Sequence, residues 1–445
     1  MFKPRQLISF GVIFIATAFL LASCDRGSLQ TANPTDINTP IKQTSYQTVT
    51  EIFDWGAAIT KVIVSLDTPV KQGSVYTDTF KVFVSRSDDR ITPPLIEEDY
   101  RAVTKTYISD KEGKEAAVGE FATLELEIGP NISLGSTINY YKDFNALIDY
   151  NYTVTQVKDI YSDSHKISGL VADKCTGETR GLIDNFSIGE FSHDDITLTY
   201  ASYTPEEDKN KNPLIIWLHG WGEGGTDARL PIHANKSANF SSKEIQANFG
   251  GAYVLLPQAK TYWMQGHTTI SDGTSIYESA LISFIKDFVS KNEDIDQNRI
   301  YIGGCSSGGY MTMLMIRDYP EYFAAAFPVC EGLIDILVSN KDIQKLKEIP
   351  IWFTSAKTDK TLNHKFFTTP TYERLIKAGA KNVYYTLFDD VRDTSGLYKN
   401  PDGTPFEYTG HFSWIYVFNN ECKETINGKT TTIMEWLASM SLDKR

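Results

Sequence analysis

A glycine-flanked serine in the second half of the chain is the first residue whose surroundings could support chemistry. Residues 304–308 (GCSSG) fit the pattern G-x-S-x-G and follow the apolar run at 300–302. The pattern is typical of a strand that turns sharply into a helix, in which the glycines permit close packing and the serine is held exposed. Ser306 is therefore a candidate nucleophile. Because an ordinary turn has the same composition, an acid, a histidine and an oxyanion hole must be found elsewhere.

A histidine that activates such a serine is expected after the last strand of the sheet, in the chain order serine, acid, histidine. Of the seven histidines, only His364 and His411 follow Ser306. His364 precedes the last predicted strand, whereas His411 follows it and lies just before a helical run. We therefore predict that His411 is the base.

The acid that orients this histidine should follow a buried strand. Asp359 lies a few residues beyond the apolar run at 349–353. A carboxylate at that place can fix the imidazole tautomer and stabilise the imidazolium as it forms. Asp393 also precedes His411, but it lies in a long polar stretch at 389–408 that has the character of an insertion. We predict Asp359 as the acid.

An oxyanion hole is expected from a loop after an earlier strand, together with the amide that follows the nucleophile. Residues 218–225 (LHGWGEGG) end a buried strand and place four glycines within 220–225. We predict the backbone N–H groups of Trp221 and Ser307 as the donors. A phosphate-binding loop is the alternative, but the Gly-Lys-Ser/Thr ending of such a loop is missing.

The elements that position these residues alternate between apolar strands and amphipathic helices. Continuous apolar runs lie at 214–218, 253–256, 300–302, 324–329, 349–353 and 383–388. Such runs are typical of parallel strands buried on both faces. An antiparallel opening pair at 185–191 and 196–203 would complete a sheet of about eight strands. We predict an α/β catalytic domain over residues 166–445.

The preceding segment has a different period. Apolar residues alternate at 62, 64 and 66, at 80, 82 and 84, and at 124, 126 and 128, with turn signals between the runs. Period two predicts strands with one buried face, so we expect a small all-β sandwich of about seven strands over residues 46–165.

The N-terminal residues form a segment with a composition unlike that of either predicted domain. Residues 1–24 have a basic start, an apolar run and the ending LASC, which resembles a bacterial lipoprotein signal. The resemblance implies that Cys24 is lipidated and that the chain is exported and held on the extracytoplasmic face of the bacterial cell membrane. A retained membrane helix is the alternative. The polar residues 25–45 are expected to be a flexible linker.

Net charge and cysteine content limit the classes of partner, cofactor and cross-link that the chain is expected to have. The net charge of −13 argues against a nucleic-acid partner, because phosphate binding needs a basic face. No metal site and no cofactor are predicted, since no H-E-x-x-H or C-x-x-C occurs. Export would place the cysteines outside the reducing cytosol, and Cys305 and Cys330 end neighbouring predicted strands. A disulfide between them is one hypothesis, and small buried thiols are the other.

Several separate motifs carry a resemblance to a known family. The succession LHGWGEGG, LLPQAKTYWM, RIYIGGCSSGGYMT, YPEYFAAAFPVCEG and GHFSWIYVFNNE resembles α/β-hydrolases of the poly(3-hydroxybutyrate) depolymerase-like and feruloyl-esterase-like branch. The segment at 53–62 resembles the Ig-like N-terminal domain that precedes some of these esterases. The resemblance implies a serine, aspartate and histidine triad on Ser306, Asp359 and His411. It also implies that the Ig-like domain serves assembly, such as a homo-oligomer, or positioning, with carbohydrate binding as the alternative.

These observations predict a serine ester hydrolase that works through an acyl-enzyme on short-chain or carbohydrate-linked esters, including esters derived from plant polysaccharides. Tyr262, Trp263 and Trp414 lie on loops at the predicted site edge, so they are candidates for a substrate pocket or for core packing. A prolyl-oligopeptidase-like peptidase has the same catalytic domain and is one alternative. A binding lipoprotein on a hydrolase scaffold without turnover is another.

Overall fold

The structure is a computed structural model that describes residues 40–163 and 165–445. The described residues belong to one compact unit, Pro40–Arg445. The predicted signal 1–24, the predicted lipidation site Cys24 and most of the predicted linker 25–45 lie outside the described residues. The end of that linker is not a linker, because the first strand already begins at Lys42.

The first domain is built from strands. These are β1 (Lys42–Phe53), β2 (Gly56–Lys71), β3 (Phe80–Ser87), β4 (Leu95–Arg101), β5 (Val103–Ser109), β6 (Val118–Leu126), β7 (Ile138–Tyr141), β8 (Phe144–Leu147), β9 (Asp149–Gln156), β10 (Ile160–Tyr161), β11 (Lys166–Ile167) and β12 (Leu170–Thr179). Eight of them form one sheet in the order β4-β3-β9-β12-β1-β2-β6-β5. Val82 and Val154 from one half share a core with Val62 and Leu124 from the other half. The sheet is therefore folded over on itself.

The predicted boundary at residue 165 is placed too early. Strand β12 begins at Leu170 and pairs in parallel with β1 and antiparallel with β9, so it belongs to the first sheet. This strand also explains why the sheet has eight strands where about seven were predicted. The C-terminal half of β12 is largely exposed. A segment without a periodic buried face gives no strand signal in the sequence.

The second domain alternates strands and helices. Its strands are β13 (Ser187–His193), β14 (Ile196–Tyr203), β15 (Asn212–Leu218), β16 (Tyr253–Gln258), β17 (Ile295–Cys305), β18 (Ala325–Val329), β19 (Ile351–Ala356), β20 (Val383–Phe388), β21 (Val391–Arg392), β22 (Glu407–Tyr408), β23 (Lys423–Ile426) and β24 (Lys429–Thr432). Its α-helices are α1 (Leu230–His233), α2 (Lys243–Gln246), α3 (Glu278–Lys291), α4 (Ser307–Asp318), α5 (Asn340–Leu346), α6 (Thr368–Lys377), α7 (Trp414–Phe418) and α8 (Ile433–Ser439).

The main sheet of this domain has the predicted eight strands, in the order β13-β14-β16-β15-β17-β18-β19-β20. The pair β13 and β14 is antiparallel, β14 meets β16 antiparallel, and β15 to β20 run in parallel. The predicted α/β class and the antiparallel opening pair are thus confirmed. Parallel strands place their carboxyl ends at one edge, which is where ligands bind in open α/β sheets.

Both faces of this sheet are buried, as the continuous apolar runs predict. Along β15, Ile216 packs with α3 to α6 on one face, whereas Trp217 packs with α7 and α8 on the other. Strand alternation explains this division, since successive side chains point to opposite faces. No helix in the described part of the chain is long and apolar enough to cross a membrane.

Candidate active site

Ser306 occupies a strained turn between β17 and α4. The strand ends at Cys305, the helix begins at Ser307, and Ser306 itself has φ 55° and ψ −113°. A side chain other than glycine rarely adopts a positive φ, and such strain is found where a side chain is held in place for function. The Ser306 N–H donates to the Val329 carbonyl at 3.0 Å, which ties the turn to the end of β18.

Two glycines allow the turn to form. A Cβ built on Gly308 would lie 1.9 Å from the Leu218 carbonyl oxygen, and one on Gly304 would lie 2.6 Å from the same atom. Helix α4 and strand β17 therefore press directly against the end of β15. This contact brings Ser306 beside the glycine-rich loop that follows Leu218.

The acid and the histidine meet across two loops. The Nδ1 atom of His411 lies 2.8 Å from Oδ2 of Asp359. The other carboxylate oxygen, Oδ1, accepts the backbone N–H groups of Thr361 and Leu362 at 2.8 and 2.9 Å. Because an ionised carboxylate only accepts hydrogen bonds, Nδ1 carries the proton and Nε2 is left as the base. Gly410 is required here, since a Cβ would lie 2.4 Å from the Thr358 carbonyl carbon.

The competing residues have other hydrogen-bond partners. Asp393 accepts hydrogen bonds from Ser395 Oγ and Gly396 N within its own turn. The Nδ1 atom of His364 lies 2.8 Å from Thr369 Oγ1. Neither residue hydrogen-bonds to Asp359 or His411 among the described residues, and the structure pairs the acid and the histidine that chain order selected.

The loop after β15 is held by a buried histidine. Ala259 N–H donates to His219 Nε2 at 3.0 Å, so Nδ1 carries the proton and donates to the Gly220 carbonyl at 2.6 Å. In a planar trans peptide the C=O and the following N–H point in opposite directions. Fixing the Gly220 carbonyl therefore also fixes the direction of the Trp221 N–H. Burial lowers the pKa of His219 to about 4, which keeps this imidazole neutral.

A buried glutamate holds the same loop from the other side. Glu223 accepts the Gly220 N–H at 2.7 Å through Oε2 and the Asn235 side-chain amide through Oε1. Gln258 donates to the Glu223 carbonyl at 2.9 Å. Burial raises the pKa of Glu223 to about 7. The second predicted donor, Ser307, is the first residue of α4, where backbone N–H groups lack a partner within the helix.

Two of the three predicted pocket aromatics lie at the site. Tyr262 stacks on Trp221 with ring centroids 3.7 Å apart, and Trp414 lies edge-on to His411 at 5.5 Å. Trp263 is fully buried and packs on His219 and Tyr277, which favours the core-packing alternative for this residue. Tyr262 is half-buried, whereas its neighbour Trp263 is fully buried. The sequence alone does not mark which of two adjacent aromatic residues faces the core.

The hypothesis of a Cys305 to Cys330 disulfide is wrong, because both are free thiols. Cys305 pairs with Val329 in the sheet and its Sγ lies against Gly220, whereas Cys330 lies one residue further along. The Cys330 Sγ lies within 4.8 Å of the Asp359 and His411 ligand atoms. Burial raises the pKa of both thiols. These three donors could hold a metal ion, but two of them already bond to each other.

Sequence reasoning missed His219, Glu223 and the hairpin β7–β8. Glu223 follows Gly220 by three residues, which is the spacing of a capping box, and that spacing was the available signal. The hairpin lies in the other domain, where a Cβ on Gly222 would come within 3.2 Å of Asn145 Nδ2. No local pattern connects the two segments.

Comparisons with known proteins agree with this architecture. Residues 45–169 match the esterase Ig-like N-terminal domain family, and residues 279–380 match the prolyl oligopeptidase family. A solved structure of a thermostable esterase covers 89% of this chain and 99% of its own, with a TM-score of 0.73 and 24% sequence identity. This likeness shows the fold.

Curated relatives match in part of the second domain. A poly(3-hydroxyalkanoate) depolymerase C of Paucimonas lemoignei is 26% identical over 33% of this chain and 34% of its own. A feruloyl esterase B of Neurospora crassa is 27% identical over 28% of this chain and 40% of its own. The chain thus spans well under two thirds of these relatives. The predicted resemblance to both groups is confirmed, and the lipoprotein signal stays a prediction.

The chain therefore consists of a domain of the esterase Ig-like N-terminal family followed by a domain with the α/β-hydrolase fold.

Proposed function

We propose that the protein is a serine carboxylic-ester hydrolase that acts through an acyl-enzyme on short-chain or carbohydrate-linked esters of the acetyl or feruloyl type. The observation that carries the proposal is the hydrogen bond of 2.8 Å between His411 and Asp359 at the sheet edge that also bears the strained Ser306. The esterase names of the partial relatives support the reaction class.

In the first half-reaction, His411 Nε2 takes the proton of Ser306 Oγ while Oγ bonds to the ester carbonyl carbon. The carbonyl electron pair moves onto oxygen, and the N–H groups of Trp221 and Ser307 bind the resulting oxyanion. The bond to the alcohol oxygen then breaks, and that oxygen receives the proton from His411. Water repeats these steps on the acyl-enzyme, releases the acid and restores Ser306.

The test is hydrolysis of 4-nitrophenyl butyrate by the purified protein and its variants. Ser306→Ala and His411→Ala should each lower kcat by about 10³-fold or more, whereas the matched control His364→Ala should retain activity. Full activity of Ser306→Ala would contradict the proposal. A fluorophosphonate probe should label the wild type and not Ser306→Ala. An unlabelled wild type would favour the binding-protein alternative.

A peptidase is the second candidate, because residues 279–380 match the prolyl oligopeptidase family. The same triad attacks amides, so the distinction rests on the substrate. A panel of nitrophenyl esters set against proline-containing peptide anilides separates the two, and a higher kcat/KM on the peptides would favour the peptidase.

Lipid anchoring through Cys24 and export to the extracytoplasmic membrane face remain part of the proposal. Growth with radiolabelled palmitate should label the full chain but not its Cys24→Ala variant. Assembly through the Ig-like domain is likewise proposed, and light scattering of the purified protein measures it.

A further inference from the structure

A groove of about 840 Å³ runs between the two domains. One wall is Arg90 with the hairpin β7–β8 and its flanking residues, and the other is the end of the glycine-rich loop with residues 258–261. Its volume falls within the range of small-molecule sites, about 300 to 1,000 Å³. The groove is therefore large enough for a ligand of several rings.

The first-domain wall is held rigidly. Arg90 donates to the Asn139 and Phe144 carbonyls at 2.9 and 3.0 Å while it pairs with Asp88. These bonds clamp both strands of the hairpin. The hairpin lies directly on the glycine-rich loop, where a Cβ on Gly222 would come within 3.5 Å of Tyr140 Cε2.

The groove begins one turn away from the proposed oxyanion donor. Gly224 lines the groove, and its N–H donates to the Trp221 carbonyl at 3.3 Å. Three residues of 3₁₀ helix rise about 6 Å, so roughly one sugar ring separates the groove from Trp221. The stacked ring of Tyr262 adjoins the groove residue Thr261. A ligand in the groove can thus extend toward Ser306.

The charges that line the groove indicate the class of ligand that it would bind. Its arginines are neutralised, since Arg90 pairs with Asp88 and Arg229 with Asp227. Lys142 and Lys260 line the groove from opposite domains and are exposed. Neither lies within ion-pair distance of a carboxylate in the described part of the chain.

Asp149 is the remaining lining charge without an ion pair among the described residues, so the two lysines and this carboxylate leave a net charge of +1. A net positive groove attracts anions, although the whole chain carries a net charge of −13. The side chains of Asn145 and Thr226 add polar groups that bond to no described residue, and the rings of Tyr141 and Phe144 add apolar faces.

We propose that this groove binds a uronate-containing oligosaccharide as the alcohol part of the ester, with Lys142 and Lys260 pairing with sugar carboxylates. Charge-assisted hydrogen bonds suit a carboxylate, the free amide and hydroxyl suit sugar hydroxyls, and the aromatic faces suit a pyranose ring. An inorganic anion would leave most of the groove empty. The proposal rests on the ester-hydrolase function proposed above for Ser306.

The test compares three esters: acetylated oligogalacturonate, acetylated xylo-oligosaccharide and 4-nitrophenyl acetate, which is too small to reach the groove. The double variant Lys142→Glu/Lys260→Glu should lower kcat/KM on the oligogalacturonate ester about tenfold or more and leave nitrophenyl acetate unchanged. The matched control Lys243→Glu, exposed on α2, should change none of them. Equal loss on the neutral xylan ester, or no loss on the acidic one, would overturn the proposal.

A binding measurement separates this proposal from the proposed reaction. Trigalacturonate without an ester should bind Ser306→Ala in calorimetry, and the two lysine substitutions should weaken that binding at least tenfold. Failure of the wild type on every ester would sink the ester-hydrolase function, and the titration would then decide the groove alone. No binding of trigalacturonate, or equally tight binding of inorganic phosphate, would overturn the saccharide site.

Discussion

Asp359 uses both of its carboxylate oxygens. One accepts two backbone N–H groups and the other accepts His411 Nδ1. The backbone bonds fix the carboxylate plane, and the carboxylate in turn fixes the imidazole tautomer. The orientation of the base is therefore determined by a loop that contributes no reacting atom.

Asp359→Asn should lower kcat by about 10² to 10⁴-fold with little change in KM, because an amide can donate to Nδ1 and so favour the wrong tautomer. Nitrophenyl ester kinetics measure this change. The matched control is Asp393→Asn, at the competing candidate acid from the sequence. If the control lost as much kcat as Asp359→Asn, the assignment of the acid would be wrong.

Glu223 is a positioning residue for the Trp221 N–H, since it bonds to Gly220 and Asn235. Glu223→Ala should lower kcat by about 10 to 10³-fold, the range seen when oxyanion stabilisation is weakened, and leave KM within about threefold. The kcat of Glu223→Gln should lie between those of the wild type and Glu223→Ala, because one side-chain oxygen can still accept the Gly220 N–H. The exposed Glu244→Ala is the control. A change in KM alone would indicate a role in substrate binding instead.

At the level of elements, the site is made by backbone contacts between strand ends. Helix α4 and strand β17 approach the end of β15 so closely that glycine is needed at 304 and 308, and the loop before His411 approaches Thr358 so closely that glycine is needed at 410. These contacts set the distances between the reacting groups, whereas the helices behind them supply the packing.

Gly308→Ala should prevent the turn at Ser306 from forming, because its Cβ would lie 1.9 Å from a backbone oxygen that cannot move aside. We expect a loss of at least about 3 kcal/mol in the free energy of unfolding, at the upper end of overpacking effects. Urea denaturation followed by tryptophan fluorescence measures it. Gly129→Ala is the matched control, since its Cβ would meet only ordinary contacts at 3.6 Å. Equal stability of the two variants would show that the close approach is not required.

At the scale of the whole molecule, two of the contacts between the first and second domains involve segments near the candidate site. The hairpin β7–β8 covers the glycine-rich loop, and Trp55, at the turn after β1, packs its ring against Tyr398 at 4.7 Å. Tyr398 belongs to the polar stretch 389–408 that precedes His411. The first domain thus contacts the glycine-rich loop and the stretch before His411, which favours the positioning role implied by the family resemblance.

Buried carboxyl groups give the whole molecule a pH-dependent stability. Burial raises the pKa of Glu331 from 4.5 to about 8. Below pH 4.5 this contribution to stability is fully present. Between pH 4.5 and 8 the unfolded state releases the proton that the folded state keeps, so the contribution is lost as the pH rises.

The free energy of unfolding should therefore fall between pH 5 and 8, and Glu331→Gln, which cannot ionise, should reduce that fall by up to about 4 kcal/mol. Guanidinium denaturation at both pH values measures it. Exposed Glu244→Gln is the control. Burial lowers the pKa of His219, so its contribution to the free energy of unfolding rises with pH between pH 4 and 6.5. The measurement therefore compares the pH dependence of the variant with that of the wild type, in which His219 contributes equally. A variant that loses as much stability as the wild type would contradict the prediction.

The sequence by itself determined what depends on local patterns. Apolar runs predicted the strands of the second sheet, and chain order selected Ser306, Asp359 and His411, because strand ends and turns have strong sequence signals. It failed where the hydrophobic period was weak, at the largely exposed C-terminal half of β12. It left undecided which of the neighbours Tyr262 and Trp263 packs in the core.

Only the tertiary structure decided which side chains face each other. The separation of Cys305 from Cys330 follows from the register of β17 with β18, and the role of Glu223 follows from its burial beside Gly220. The groove with Lys142 and Lys260 brings together segments more than a hundred residues apart in the sequence. Such contacts arise from the packing of whole elements, and no short stretch of sequence encodes them.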